Sequence, residues 1–485
     1  VSSRRPSVPL GELPSACPSV DYRASTRADP FWAGLWPQVS GGVGVSWTSR
    51  SSAVRLQQAG LAALSRDARR WSPDEAVDLL LDCRRQQRLS ALAAIAMWRT
   101  VSVEQLVAIT GYARLAPPRS HDRALMWAAG LVQRGTLVLD GRSKQPGSTD
   151  RLRLYRPDLH RGSFERLTRR LSYPEWVGVT GGSGWTQGPQ FDRHNLLAVE
   201  LCLRVAEWCD IGAVLGESLA TWKTMLHPSA KVPATSRRAA DAAWVRPDGL
   251  VVAVEMTSQV SSHSKEKAQA WADVLAQDES RATMVLFVEA AHPDRRESGH
   301  NVHMLRRHVA AAARSTMDHV LADVPSRMAV ARWVDWFPAP GMVDPSVVPL
   351  LVWRPTGAGE AVWEPANLLD SLDVPIYEKP ARSGDNRQAV LDNLGLLYGV
   401  PGWLVKRPVP SLDNVVRARA GFPPAKLGWE RTPPPQPPPM KGRKMAGSST
   451  GTSPAQAASC ASSSVSLAAS NRTSSSVAGS VNSAR

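Results

Sequence analysis

The chain lacks any apolar run near the ~20 residues a membrane-spanning helix needs, so a membrane protein is not expected. The first residues, VSSRRPSVPLGELPSACPSV, lack the apolar core of a secretory signal, and a cytoplasmic protein is the expectation. Cysteine is scarce. Five residues (Cys17, Cys83, Cys202, Cys209 and Cys460) form no C-x-x-C pair, which excludes a zinc ribbon and a disulfide framework. Cys202 and Cys209 fall on one expected helix and read as small buried side chains. No G-x-x-x-x-G-K stretch followed by Ser or Thr occurs, so a P-loop and a nucleotide cofactor are not expected. GGSGW at 181–185 reads as linker. No His-x-His occurs, which leaves the tyrosines without the metal cluster of a usual relaxase. His300, His303 and His308 lie on an expected helix and read as solvated surface. No internal repeat is visible.

What is present is positive charge, unevenly placed. The 485 residues hold 58 Lys+Arg against 43 Asp+Glu, a formal net charge of +15. Residues 84–170 hold 17 basic and 6 acidic residues, whereas 190–325 hold 15 and 17. The first segment is suited to phosphates, and the second can hold a site of another kind. At 485 residues, two or three domains are expected. Residues 1–52, rich in Ser, Pro, Gly and Arg, read as disordered. Residues 53–84 read as a helical lead-in and 161–190 as a linker. Residues 326–429 form an extension with strands near Met328–Trp336 and Val347–Trp353. From 430 a proline spacer, PPPQPPP, leads into KGRK and a Ser/Ala-rich tail.

Residues 85–160 read as a winged helix-turn-helix. Ser90–Trp98 is a compact apolar helix. Ser102 caps a second helix, VEQLVAIT, which Gly111 stops. Ser120 caps a third, expected from His121 to Arg134, with Gly135 as its end. TLVLD (136–140) and RLRLY (151–155) alternate as two paired strands about the basic loop GRSKQPGST. In this order the third helix enters the major groove with its early residues facing base edges. Those are Arg119, His121, Asp122 and Arg123. Arg142 and Lys144 on the wing, with Arg151 and Arg153 beside it, meet phosphates. The expected partner is double-stranded DNA. The competing use of the segment is protein contact, with a homodimer among the options.

Residues 191–325 read as an α/β domain: helix 192–208, a hairpin in AADAAWVRPDGLVVAVEMTS, a helix around Lys265–Leu275, and a strand at Thr283–Glu289. Pro247-Asp248 imitates a nuclease signature, but Pro-Asp-Gly suits a three-residue hairpin loop. That loop pairs residues whose numbers sum to 496, so Asp241 stands opposite Glu255, with Thr257 on the same face. Opposed carboxylates repel unless a positive group sits between them, and a divalent cation such as Mg²⁺ is the usual one. The sequence offers Asp241, Glu255 and Glu200 as metal ligands. Thr257 stands where Glu-x-Lys puts its lysine, and Lys265 or Lys267 can reach back from the next helix. The competing readings are two exposed acids or a degenerate site.

The order of a basic winged helix, HNLLAVELCLRVAE, then ADAAWVRPDGLVVAVEMTS and a lysine-bearing helix resembles the replication-relaxation family of bacterial plasmids and integrative elements. The resemblance covers roughly residues 85–325. It implies plasmid replication or DNA relaxation and a PD-(D/E)xK, restriction-endonuclease-like second half. Asp241 and Glu255 match the family's acidic pair, whereas Thr257 departs from the second acid that relatives often carry. The expected fold is thus mixed α/β, a winged helix followed by a nuclease-like domain with disordered termini. The expected function is DNA binding for a mobile element. An active metal-dependent endonuclease and a winged-helix transcriptional regulator are the alternatives.

Overall fold

A computed structural model of the chain describes residues 6–32, 45–116, 120–138, 151–158, 160–181, 192–226, 230–233, 240–291, 298–316, 323–356, 362–374 and 397–404. The protein is mixed α/β. Its N-terminal part holds β1 (Val8–Pro9), β2 (Ser46–Thr48), α1 (Arg50–Gln58), α2 (Arg66–Arg70) and α3 (Pro73–Leu80). Then come α4 (Arg85–Trp98), β3 (Val101–Ser102), α5 (Val103–Thr110), α6 (His121–Ala128), β4 (Val132–Val138), β5 (Arg151–Pro157), α7 (Arg161–Thr168) and α8 (Tyr173–Thr180). The larger sheet and its helices follow: α9 (Asp192–Trp208), β6 (Ala213–Gly216), α10 (Trp222–Met225), β7 (Ala242–Val245), β8 (Val251–Thr257), α11 (Ser262–Leu275) and β9 (Thr283–Glu289). The last elements are α12 (Ser298–Arg314), β10 (Met328–Arg332), α13 (Trp333–Trp336), β11 (Met342–Val343), β12 (Leu351–Pro355) and β13 (Trp363–Asn367).

Local chemistry sets the helix ends of the basic segment. Ser102 and Gln105 form a capping box on α5, and Gly111, at φ 72°, ends it. Ser120 caps α6 through the Arg123 amide. That helix ends earlier than its apolar pattern suggests, because Gly130, at φ 71°, turns the chain and Leu131 N–H bonds back to the Met126 carbonyl. The strand therefore starts at Val132 rather than Thr136, and Gly135 lies inside it. A Cβ at Gly135 falls 2.9 Å from the Trp47 ring, so glycine is what lets Trp47 lie over the strand. The sheet runs β2-β4-β5-β3, with Arg134 opposite Tyr155 and Thr136 opposite Arg153.

The larger sheet has seven strands in the order β13-β12-β10-β9-β8-β7-β6. β6, β7 and β8 are antiparallel neighbours. β8, β9 and β10 are parallel, joined by crossovers through α11 and α12. The strands expected in an extension after residue 325 are β10 and β12 of this same sheet. Nothing local in the sequence marks the parallel pairing of Met328–Arg332 with β9, which joins partners more than 40 positions apart. The expected strand to Trp336 gives way at Trp333 to α13.

Residues 6–32, expected to be disordered, are packed into the core. Leu10, Cys17, Ala24 and Phe31 are buried, and β1 pairs with β11. Their order comes from charge rather than periodicity. Arg27 is fully buried against Glu200 and Glu207 of α9, and Arg204 reaches Asp29 at 2.7 Å. The expected linker 161–190 carries α7 and α8, and α8 packs along α4. α4 also meets the large sheet directly, with Ser218 N–H on the Met97 carbonyl at 3.1 Å. All described residues fall within one packed unit, Val1–Pro434; the proline spacer and tail lie outside them.

Candidate functional site

The hairpin β7–β8 builds the first candidate site. Ala242 faces Val254 and Trp244 faces Val252, the register that the three-residue loop dictates. Arg246 N–H meets the Leu250 carbonyl at 2.9 Å, and Gly249 takes φ 91°. Asp248 stays in the turn, 2.6 Å from the Arg246 guanidinium, and plays no part in an acidic site. Continued outward, this register sets Asp241 opposite Glu255. Asp241 Oδ2 accepts the Met256 N–H at 2.8 Å. Glu255 is buried, and Trp271 Nε1–H donates to its Oε1 at 2.7 Å.

The positive group beside these carboxylates is an ammonium. Lys267, on the first turns of α11, forms an ion pair with Glu255 and also feels the Asp241 and Glu217 charges. Those acids raise its pKa despite the opposing cost of burial. Burial pushes the Glu255 carboxyl up to about 7, with Asp241 adding to the rise and Lys267 and Trp271 opposing it. His194, at the start of α9, lies 3.2 Å from the Ser258 hydroxyl and beside Asp241, and burial lowers its pKa. Lys265 is not part of this cluster; it is exposed and lines a different cleft with Glu266 and Asp273.

Glu200 also lies elsewhere in its bonding. Arg27 donates to it at 2.9 and 3.1 Å, Arg204 at 3.0 Å and Gln105 at 3.3 Å. Two guanidinium groups hold its pKa down against the opposing effect of burial, and they occupy the oxygens a metal would use. The sequence offers Glu200 as a further acidic member of the site, whereas its partners are Arg204 one turn on and Arg27 from the N-terminal segment.

The remaining acids, Asp241 and Glu255, are bonded to other groups. Here the Glu255 oxygens are taken by Lys267 and Trp271, and one Asp241 oxygen by a backbone amide. No group of three potential ligands is brought together among the described residues. Sequence reasoning missed Glu217, His194 and Trp271. Trp271 was recoverable, since it lies one helical turn after Lys267 on the same face.

The second candidate site lies at the start of α6. A cleft of about 500 Å³ is lined by Arg66 and Arg70 of α2, Arg123 of α6, Arg134 of β4 and Arg153 of β5. His121 also lines it, edge-on to Trp71 at 5.2 Å between ring centroids. Arg66, Arg70, His121 and Arg153 are exposed. Asp67 pairs with Arg134 at 3.1 Å and is the one acidic lining residue.

This geometry corrects the reading of α6 as a groove-inserted helix. α2 and α3 pack on it, and of its eight residues only His121 is exposed. Arg123 is buried and holds the Tyr155 hydroxyl at 3.3 Å and the Ala116 carbonyl at 3.1 Å. Asp122 is buried against Arg88 at 2.7 Å. Arg151 begins β5, while Arg119, Arg142 and Lys144 lie outside the described residues.

Neither a family model, nor a curated protein, nor a solved structure matches this chain. Among the described residues, no helix is long and apolar enough to cross a membrane.

Proposed function

We propose that this chain is a DNA-binding protein of a mobile genetic element, combining a winged-helix segment with a nuclease-like α/β part that does not cut. One observation carries the DNA-binding reading. Arg134 and Arg153 of the most basic segment converge with His121 and with Arg66 and Arg70 of the preceding α2 on one cleft. Guanidinium groups on separate rigid elements suit phosphate oxygens, since each offers paired donors. Because α6 is covered, the contacts run through the cleft rim and the hairpin β4–β5 rather than through an inserted helix.

The nuclease-like reading draws support from element order. After α9 come β6, the short α10, β7, β8, α11 and β9, with Asp241 just before β7 and Glu255 in β8, where the resemblance implies the acidic pair. That this part does not cut rests on the Glu255 oxygens being bonded already, by Lys267 and by Trp271.

The test has two arms. Duplex DNA is titrated with the full chain over a range of salt, alongside Arg66→Ala and Arg153→Ala. Weaker binding and a flatter salt slope in the variants are expected; unchanged affinity and slope would overturn the reading. In the second arm, supercoiled plasmid with Mg²⁺ or Mn²⁺ should stay intact. Nicking that is lost in Asp241→Ala would establish an active nuclease instead.

A further inference from the structure

Residues 49–66 leave the basic sheet and return to it at one residue. Thr48 of β2 lies opposite Arg134 of β4, and Asp67 of α2 pairs with the same Arg134 at 3.1 Å. Between these two feet stand α1 and the turn into α2. α1 has no buried residue, and positions 55–63 are all exposed. Two of them are leucines: Leu56 is 44% exposed and Leu61 75%.

The turn is nevertheless fixed. Gly60 takes φ 69°, its amide bonds to the Gln57 carbonyl, and the Leu61 amide reaches back to the Leu56 carbonyl at 2.9 Å. This is the left-handed glycine stop of a helix, and it satisfies the last carbonyls. A Cβ at Gly60 would meet nothing within 4 Å, so the turn projects into open space. Single exposed leucines are ordinary on a protein surface. What distinguishes these is the charge around them. Residues 50–70 hold five arginines and one acid, and that acid, Asp67, is bound to Arg134. Arg55, Arg66, Arg69 and Arg70 are exposed, and Arg66 and Arg70 also line the basic cleft. An apolar point in such a setting suits a polyanion with an apolar interior, which is what a stacked duplex is. A second copy of the same basic projection would meet it with like charge.

We propose that this projection is a wedge: Leu61 enters a base step of the bound duplex and kinks the DNA. The inference rests on the DNA-binding reading and adds to it what the protein does to the duplex. Apolar side chains that part a base step bend DNA by about 20–90°. Unstacking costs least at pyrimidine–purine steps such as TA, so the wedge favours a flexible TA step over a stiff A-tract. The arginines hold phosphates on either side while the leucine enters.

In the experiment the full chain is added to a short duplex with a central TA step and a fluorophore at each end. Anisotropy gives the affinity, and energy transfer between the ends gives the bend. The native chain should shorten the end-to-end distance. Leu61→Ala should bind about tenfold more weakly, as expected for losing most of a buried leucine side chain, and should leave the duplex straight. Leu61→Phe should keep the bend. Because Leu61 is exposed, its replacement leaves the fold intact, which an unchanged melting temperature checks. Exchanging the TA step for an A-tract should weaken the native chain more than Leu61→Ala. Binding that leaves the duplex straight, or a bend that Leu61→Ala retains, would overturn the inference and leave the DNA-binding reading standing. Failure to bind any duplex would overturn both. Self-association of the free chain that Leu61→Asp abolishes, with the bend unaltered, would assign the projection to a protein interface instead.

Discussion

Lys267 forms an ion pair with Glu255, supplying from α11 the positive charge that Thr257 leaves missing from β8. Removing that charge should strand a carboxylate in the core. Lys267→Met is expected to destabilise the protein by about 2 kcal/mol, below the 3–5 of a fully buried pair. The discount reflects a lysine side chain that is 35% exposed. Urea unfolding of Lys267→Met, Glu255→Gln and the double variant measures the coupling. The double variant should recover part of the loss, and additive losses would rule the pairing out as a stabilising contact.

Glu289 offers a pH test. It is buried at the end of β9, 3.6 Å from Arg332, and burial raises its pKa to about 7, with Arg332 opposing. The folded state therefore holds its proton more tightly than the unfolded chain. The stability this contributes is complete below the unfolded pKa of about 4.3 and is lost as pH rises through about 7. Glu289→Gln keeps the uncharged shape at every pH. Its melting temperature relative to the native protein should rise between pH 5 and pH 8. A difference that stays flat over that window would contradict the burial argument.

Arg27 ties the N-terminal segment to α9 through Glu200 and Glu207. Arg27→Met should cost about 3–5 kcal/mol, because it leaves buried carboxylates uncompensated. Limited proteolysis is the local readout. Cleavage near Arg23 should accelerate in the variant well before cleavage within α9.

Gly216 ends β6 where that strand meets α4. A Cβ there would fall 2.7 Å from the Met97 carbonyl and 2.8 Å from the Trp98 ring. Gly216→Ala should therefore lose about 1–3 kcal/mol, as overpacking does. Chemical denaturation checks it, and a loss within error would mean that α4 and the sheet can separate without cost.

The hairpin was the most legible part of the sequence, because Pro247-Asp248-Gly249 sets a turn and the turn sets every pairing after it. Ser102, Gly111 and Ser120 were likewise readable, since caps act within three or four residues. What could not be read depends on contacts between distant segments. Glu200 and an acid facing a metal share the same helical pattern; Arg204, four positions on, is a local clue, but Arg27, 173 positions away, completes the pairing and is not legible. Arg123 reads as a groove-facing residue until α2 and α3 are seen to cover α6. β6 is only four residues long, and Glu217 went unnoticed with it.

The pairing of β1 with β11 joins Val8 to Val343. A chain emerging from the ribosome carries its first strand long before the partner exists. Arg27 faces a shorter wait, since Glu207 follows it by 180 positions. Arg27 can reach Glu200 and Glu207 as soon as α9 is made, whereas the pairing of β1 waits for β11 and is a later folding step with a high contact order. A truncated chain ending before β11 would keep Glu200 and Glu207 for Arg27 but leave the first strand without an edge to join.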